Sequence, residues 1–205
     1  MTLSLRRLFV LSRWVMVVGA SFGALSLAHL HAQTSDRSPA TSLATPTRPD
    51  VVSIASIDVP RYMGTWYEVA KYPNIFQRRC ARNTRAQYTP QADGTVQVLN
   101  RCVTESGEEI NALGLARQIG ASTSPKLKVR FAPAWLGWLP LVWGDYWVID
   151  LDDNYQLAAV SEPSREYLWV LSRTPTVDAN AYNALLKRLS AQGFDLNKLE
   201  RSPQL

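Results

Sequence analysis

The chain has 205 residues, with 22 basic against 17 acidic side chains and a formal charge of +5. Three of those bases, Arg6, Arg7 and Arg13, lie in the first 32 residues, which hold no acid, so the remainder carries only +2. That near-balance removes the basic surface on which nucleic-acid binding depends, and no nucleic-acid partner is expected. Both histidines, His29 and His31, fall in the same opening segment, which argues against a metal site in the rest of the chain.

In chain order, a basic start at Arg6-Arg7, an apolar stretch from Trp14 to Leu30 and an Ala-rich end read as a secretory signal peptide over residues 1–32. Cleavage is expected after Ala32, with Ala28 a second candidate. An uncleaved anchor is the rival reading, because the 17 residues from Trp14 to Leu30 sit at the short edge of a membrane span. Either way the body of the protein is exported. Residues 33–56, rich in Ser, Thr, Pro and Ala, read as a flexible tether. Residues 57–205 remain as one domain, a length that suits a single core.

Eight strand-like runs follow: Thr65–Tyr72, Asn83–Tyr88, Thr95–Val103, Glu109–Gln118, Lys126–Phe131, Asp145–Leu151, Tyr155–Ser161 and Tyr167–Arg173. Turn residues such as Asp93-Gly94 and Asp152-Asp153-Asn154 separate them. Short strands at regular spacing predict an all-β barrel or sandwich. Cys80 and Cys102 flank the hairpin of the second and third runs, and in an exported chain a disulfide between them persists. Such a bridge contributes on the order of 3 kcal/mol, and two free buried thiols are the alternative. One helix closes the domain. Thr176 is its expected N-cap, with Asp178 in the first turn. Ala181, Leu185 and Leu189, with Tyr182 and Leu186 beside them, form the expected apolar stripe. Gly193 ends it.

Three fragments in order carry a resemblance. Gly64-Thr65-Trp66 opens the first strand after the turn Asp58 to Met63; Gly144-Asp145-Tyr146-Trp147-Val148-Ile149 is a Tyr-bearing strand; Tyr167 to Arg173 is a strand that ends in Arg. With a helix after the third, residues 57–198 resemble the lipocalins, most closely the bacterial branch related to apolipoprotein D. The resemblance implies an eight-stranded antiparallel up-and-down β-barrel of the calycin type, with the C-terminal helix packed on its outside. It further implies that Trp66 plugs one end and that Arg173 lies over it, a cation–π contact worth about 1 kcal/mol or more when desolvated. Gly64, Trp66 and Arg173 are on this reading a signature of fold. If Arg173 points inward, so do Leu171, Trp169 and Tyr167, which share its parity. With Tyr146 and Val148 they are the expected ligand-binding residues.

The loop from Pro133 to Trp143 joins the fifth and sixth strands, at the end that is the open mouth in the family, as is the Cys80–Cys102 bridge. Its Trp135, Trp138 and Trp143 are too apolar to leave in water without reason. We expect the loop to dip into a membrane interface or to cap the entry; folding back on the barrel or forming a homodimer are the alternatives. Bacterial members commonly carry a lipidated Cys at the signal cleavage site, whereas this sequence has no Cys before Cys80. The expected location is therefore the periplasm or the outer membrane, without an ordinary lipoprotein anchor. The resemblance implies binding, storage or transport of fatty acids or lysophospholipids in the cell envelope for membrane maintenance, with no cofactor and no enzyme activity. Two alternatives remain open. One is a barrel enzyme acting on a lipid or carotenoid, for which Glu68, Asp150 and Glu162 are the available acids. The other is a haem or pigment carrier with Tyr67 or Met63 as axial ligand.

Overall fold

A computed structural model describes residues 49–205; the signal or anchor segment, and the tether up to residue 48, lie outside the described residues. A single-turn helix α1 (Val59–Tyr62) leads into strands β1 (Gly64–Lys71), β2 (Arg82–Pro90), β3 (Val96–Val103), β4 (Glu109–Gln118), β5 (Lys126–Arg130), β6 (Gly144–Leu151), β7 (Leu157–Ser161) and β8 (Leu168–Ser172). Consecutive strands pair antiparallel, and β1 pairs with both β2 and β8, so the eight close into an up-and-down barrel. Closure removes the free strand edges that an open sheet would expose. Helix α2 (Ala179–Ala191) and a two-residue strand β9 (Glu200–Arg201) complete the chain.

Alternation sorts side chains to the two faces of the wall. On β5, Leu127 and Val129 line the interior, while Lys126 lies 4.0 Å from the Trp147 ring and Lys128 pairs with Asp145 at 2.8 Å. Arg130 departs from this solvated basic face. It is buried, and its Nη1 donates to the carbonyls of Pro133 and Ala134, each at 3.0 Å, which ties down the loop that follows.

Two bulges break the alternation where the helix lands. The register of β1 shifts between Glu68 and Ala70, and that of β6 between Val148 and Asp150. At each, two consecutive residues serve the outer face. Val69, Ala70 and Ile149 join Leu157, Ala159, Leu168 and Val170 in a cluster with Leu185 and Leu189 of α2. Asp150 accepts two bonds from Arg188 of the helix, from Nε at 2.6 Å and from Nη2 at 2.8 Å. A bulge thus turns an inward position into an outward one. Each fully buried Leu contributes roughly 1.5–3 kcal/mol.

The helix corrects two expectations. Its N-cap is Asp178, whose side chain accepts from the Ala181 N–H at 2.9 Å, not Thr176. The buried stripe runs through Tyr182, Leu185, Leu186 and Leu189, leaving Ala181 exposed. Gly193 follows the C-cap in the left-handed region, φ 82°, as its place after the stripe requires.

Chain on either side of the barrel also packs on it. Val51 and Ile54 fall in the segment that composition assigns to the tether, yet Val51 is buried in the helix-side cluster and the Ile54 N–H donates to the Val148 carbonyl at 3.0 Å. Two apolar side chains are enough to dock an otherwise polar stretch. At the other terminus, pairing of β1 with β2 stops at Tyr67 and Arg85, and the tail enters the gap beyond. The Ser202 N–H donates to the Val69 carbonyl at 3.0 Å, and the Asn83 N–H to that of Pro203 at 2.8 Å. Gln204 Nε2 bridges the carbonyls of Glu68 and Thr84 at 2.7 and 2.9 Å.

Candidate ligand-binding cavity

The closed end is built first. Gly64 adopts φ 95°, a conformation L side chains rarely take, and a Cβ there would meet Arg173 Nη1 at 3.4 Å. Trp66 is wholly buried, and its Nε1 donates to the Tyr62 carbonyl at 2.8 Å. The guanidinium of Arg173 stands 4.0 Å from the Trp66 ring. It donates to the carbonyls of Thr65 at 2.9 Å, Arg61 at 2.6 Å and Tyr155 at 3.2 Å, so one side chain ties α1, β1 and the β6–β7 turn together.

Above this plug lies a cavity of about 830 Å³, within the range of pockets that enclose a lipid-sized molecule. Val96, Val98, Ala86, Ala116, Leu127 and Val129 form much of its wall. Tyr146, Tyr167, Trp169 and Leu171 line it, as their parity predicts. Val148 does not. It shares the inward face but sits two residues nearer the closed end than Tyr146, fully buried with Ala158 and Val160 beneath the cavity. Tyr67 is likewise absent from the lining, while Met63 is part of it. The three acids do not converge: Glu68 and Glu162 reach the cavity, whereas Asp150 faces the helix.

Two residues escaped the sequence reading. Tyr62 and Tyr88 join Tyr146 on the floor, with Tyr146 Oη 2.9 Å from each of the other two hydroxyls. Burial pushes all three phenols up, Tyr88 to about 12. Tyr62 sits in a turn without periodicity. Tyr88 ends a run, Asn83 to Gln87, whose inward Thr84 and Ala86 are too small and polar to announce a core face.

Glu68 is a buried carboxyl in the wall. It accepts from Gln77 Nε2 and from Ser202 Oγ, and Gln77 Oε1 in turn accepts from Trp169 Nε1 at 2.9 Å and Asn74 Nδ2 at 2.7 Å. Burial raises its pKa above the usual carboxylate range, against the opposing pull of Ser202, Gln77 and Lys71. A raised folded pKa means the native state favours the neutral acid. Its stabilisation is therefore present at low pH and lost as pH rises through and beyond the ordinary carboxylate range. Glu68→Gln is expected to flatten the fall in urea midpoint between acidic and neutral pH. An unchanged slope in the variant would contradict this assignment.

The mouth end carries Cys80 and Cys102, joined by a disulfide with Cα atoms 5.5 Å apart. The loop from Pro133 to Trp143 lies at the same end, folded as two 3-10 turns, Ala134–Leu136 and Pro140–Val142. Its tryptophans divide. Trp135 and Trp138 are 74% and 77% exposed, as is Leu141 at 96%. Trp143 instead lines the cavity, with Arg117 at 4.2 Å and Arg130 at 5.1 Å from its ring and Nε1 bonded to the Gly137 carbonyl at 2.8 Å. Two guanidiniums, from the outward positions of β4 and β5, hold its ring and leave it half-buried, so it does not belong with the exposed pair. Ile75 and Phe76, from the β1–β2 connection, add a second exposed apolar group, and Phe76 also touches the cavity.

Residues 57–204 match the lipocalin-like domain. Temperature-induced lipocalin-1 of Arabidopsis thaliana is 40% identical, over 74% of this chain and 81% of that protein. The outer membrane lipoprotein Blc of Vibrio cholerae serotype O1 is 38% identical over 73% and 84%, and apolipoprotein D of Mus musculus 28% identical over 73% and 78%. Among solved structures, insecticyanin of the tobacco hornworm Manduca sexta superposes with a TM-score of 0.58 at 21% identity, covering 76% of this chain and 85% of its own. The cockroach allergen Per a 4 superposes at 0.59 and 19% identity. With a closed eight-stranded barrel, its sealed base and a match across almost the whole described domain, the chain belongs to the lipocalin-like family.

Proposed function

We propose that this protein binds and carries a fatty acid or lysophospholipid in the cell envelope, acyl chain inward. The observation that carries the reading is the cavity itself: about 830 Å³, walled mainly by apolar side chains and entered from one end. Each methylene moved from water into such a space contributes about 0.8 kcal/mol. Tyr146, Tyr167, Trp169 and Leu171 are the proposed contact residues. The named relatives include an apolipoprotein, which supports a lipid over a polar solute. Delipidated protein is expected to take up one hexadecanoic acid per chain, read as a single added mass by native mass spectrometry. The same spectrum reports whether the chain forms the homodimer that the sequence left open. No uptake of any acyl chain would sink the carrier reading.

We propose export on the basic and apolar character of the opening segment. Among the described residues no helix is long and apolar enough to cross a membrane. We propose that contact with the envelope is made instead by the mouth, where Trp135, Trp138 and Leu141 stand exposed with Ile75 and Phe76. Aromatic side chains of this kind favour the headgroup layer. Trp135→Ser/Trp138→Ser is expected to weaken co-sedimentation with phosphatidylethanolamine–phosphatidylglycerol vesicles by about tenfold or more, the equivalent of roughly two methylenes' burial. Identical sedimentation of variant and parent would reject the contact.

A further inference from the structure

We infer that the floor of the cavity is a recognition site for an uncharged oxygen, a carbonyl or hydroxyl, carried at the leading end of the lipid chain by Tyr62, Tyr88 and Tyr146. The inference rests on the carrier reading and deepens it, because a purely apolar tail would need no such floor.

The argument is a count of hydrogens. Three phenols bring three O–H groups, and the cluster holds two mutual contacts, each of 2.9 Å and both made by Tyr146. Each contact uses one hydrogen, whichever oxygen donates. One hydrogen is therefore left over in every arrangement of the rotors. Among the described residues these hydroxyls bond only to one another, and all three side chains line the cavity. A buried donor without an acceptor is costly, so the floor is incomplete until something with a lone pair arrives. Spare lone pairs remain on the phenols as well, so a hydroxyl can be met as donor or acceptor.

The surroundings select against charge. Arg173 is the cation behind the floor: three of its five N–H groups donate to the carbonyls of Thr65, Arg61 and Tyr155, and its face covers Trp66. It is not among the residues that line the cavity, so it offers a carboxylate there no direct contact. Burial keeps the phenols neutral, which leaves a dipolar donor and not a counter-ion. A carboxylate arriving here would lose its hydration with no cation in hydrogen-bond contact. A ketone, aldehyde or alcohol oxygen loses little and gains a bond. Ring packing holds the donors in place: Tyr62 stacks on Tyr88 at 5.8 Å, and Tyr88 meets Tyr146 edge-on at 6.2 Å. The ligand class is thus an oxygenated lipid with its charged head, if any, left at the mouth.

The test uses two acids of equal length, hexadecanoic acid and 15-oxohexadecanoic acid labelled with ¹³C at the ketone. In the wild-type complex the labelled ketone stretch is expected below its position in alkane, as for a carbonyl accepting from a phenol. Tyr62→Phe/Tyr88→Phe/Tyr146→Phe is expected to return it to the alkane position. The affinity preference for the oxo acid over the plain acid is expected to fall by about five- to tenfold in the same variant, the worth of one hydrogen bond. Tyr88→Phe alone leaves two hydroxyls and one contact, hence still one spare hydrogen, and is expected to keep the shift. An unshifted ketone in the wild-type complex would overturn the inference, with no variant needed. A shift that survives the triple substitution would put the ketone in water at the mouth and overturn it too. If both acids bind equally, only this inference falls; if neither binds, the carrier reading falls with it.

Discussion

Trp66→Ala is expected to lower the unfolding free energy by about 3–5 kcal/mol, the range for removing a fully buried large aromatic. Urea denaturation followed by far-UV circular dichroism measures it. Trp66 has no exposed surface, and its loss opens a void at the closed end that Tyr62, Ala158 and Val160 cannot refill, because each is itself held in the barrel core. Arg173→Met is expected to cost about 2–3 kcal/mol. That variant keeps an aliphatic cover over the ring but strands the carbonyls of Thr65, Arg61 and Tyr155, with the charge-assisted bonds discounted for their partial exposure. The double variant should lose less than the sum of the two, by about 1 kcal/mol, since the ring–guanidinium contact at 4.0 Å can be removed only once. Strict additivity would show that the pair is adjacent without being coupled.

Ala116→Trp is expected to weaken fatty-acid binding far more than it weakens the fold. Ala116 is buried on the inner face of β4, paired with Val96 and Val129, and its Cβ borders open cavity. An indole there occupies space that the acyl chain would use. Excluding about three methylenes removes about 2.4 kcal/mol of transfer free energy, on the order of fiftyfold in Kd. The comparison that decides is hexadecanoic acid against decanoic acid by calorimetry. The variant should discriminate against the long chain and leave the short one nearly untouched. Equal losses for both would mean that the chain follows another path through the barrel.

Much of this architecture is legible in the residues. All eight strands lie within two residues of their expected bounds, because alternation and turn chemistry are local properties of the chain. The inward parity of Tyr167, Trp169 and Leu171 follows from Arg173 by counting in twos, and β8 has no bulge to spoil the count. Val148 shows the limit of that reasoning. Parity reports which face a side chain is on and says nothing of its depth, and two residues along a strand separate cavity from plug. Trp143 shows another limit. Composition groups it with Trp135 and Trp138, while Arg117 of β4 and Arg130 of β5 hold its ring and leave it half-buried.

From the amino-acid order alone come the strand count, the closing helix, the disulfide partners and the family, since each depends on neighbours along the chain or on short motifs. Only the tertiary structure decided which distant side chains meet in the floor and wall of the interior. Tyr62 and Tyr88 lie 84 and 58 positions from Tyr146 in sequence, yet each hydroxyl meets that of Tyr146 at 2.9 Å. Glu68 is buried by Gln77 and by Ser202 of the tail, 134 residues away. Such meetings depend on barrel closure, where register and bulges bring distant strands to one floor, and no periodicity within a single strand encodes them.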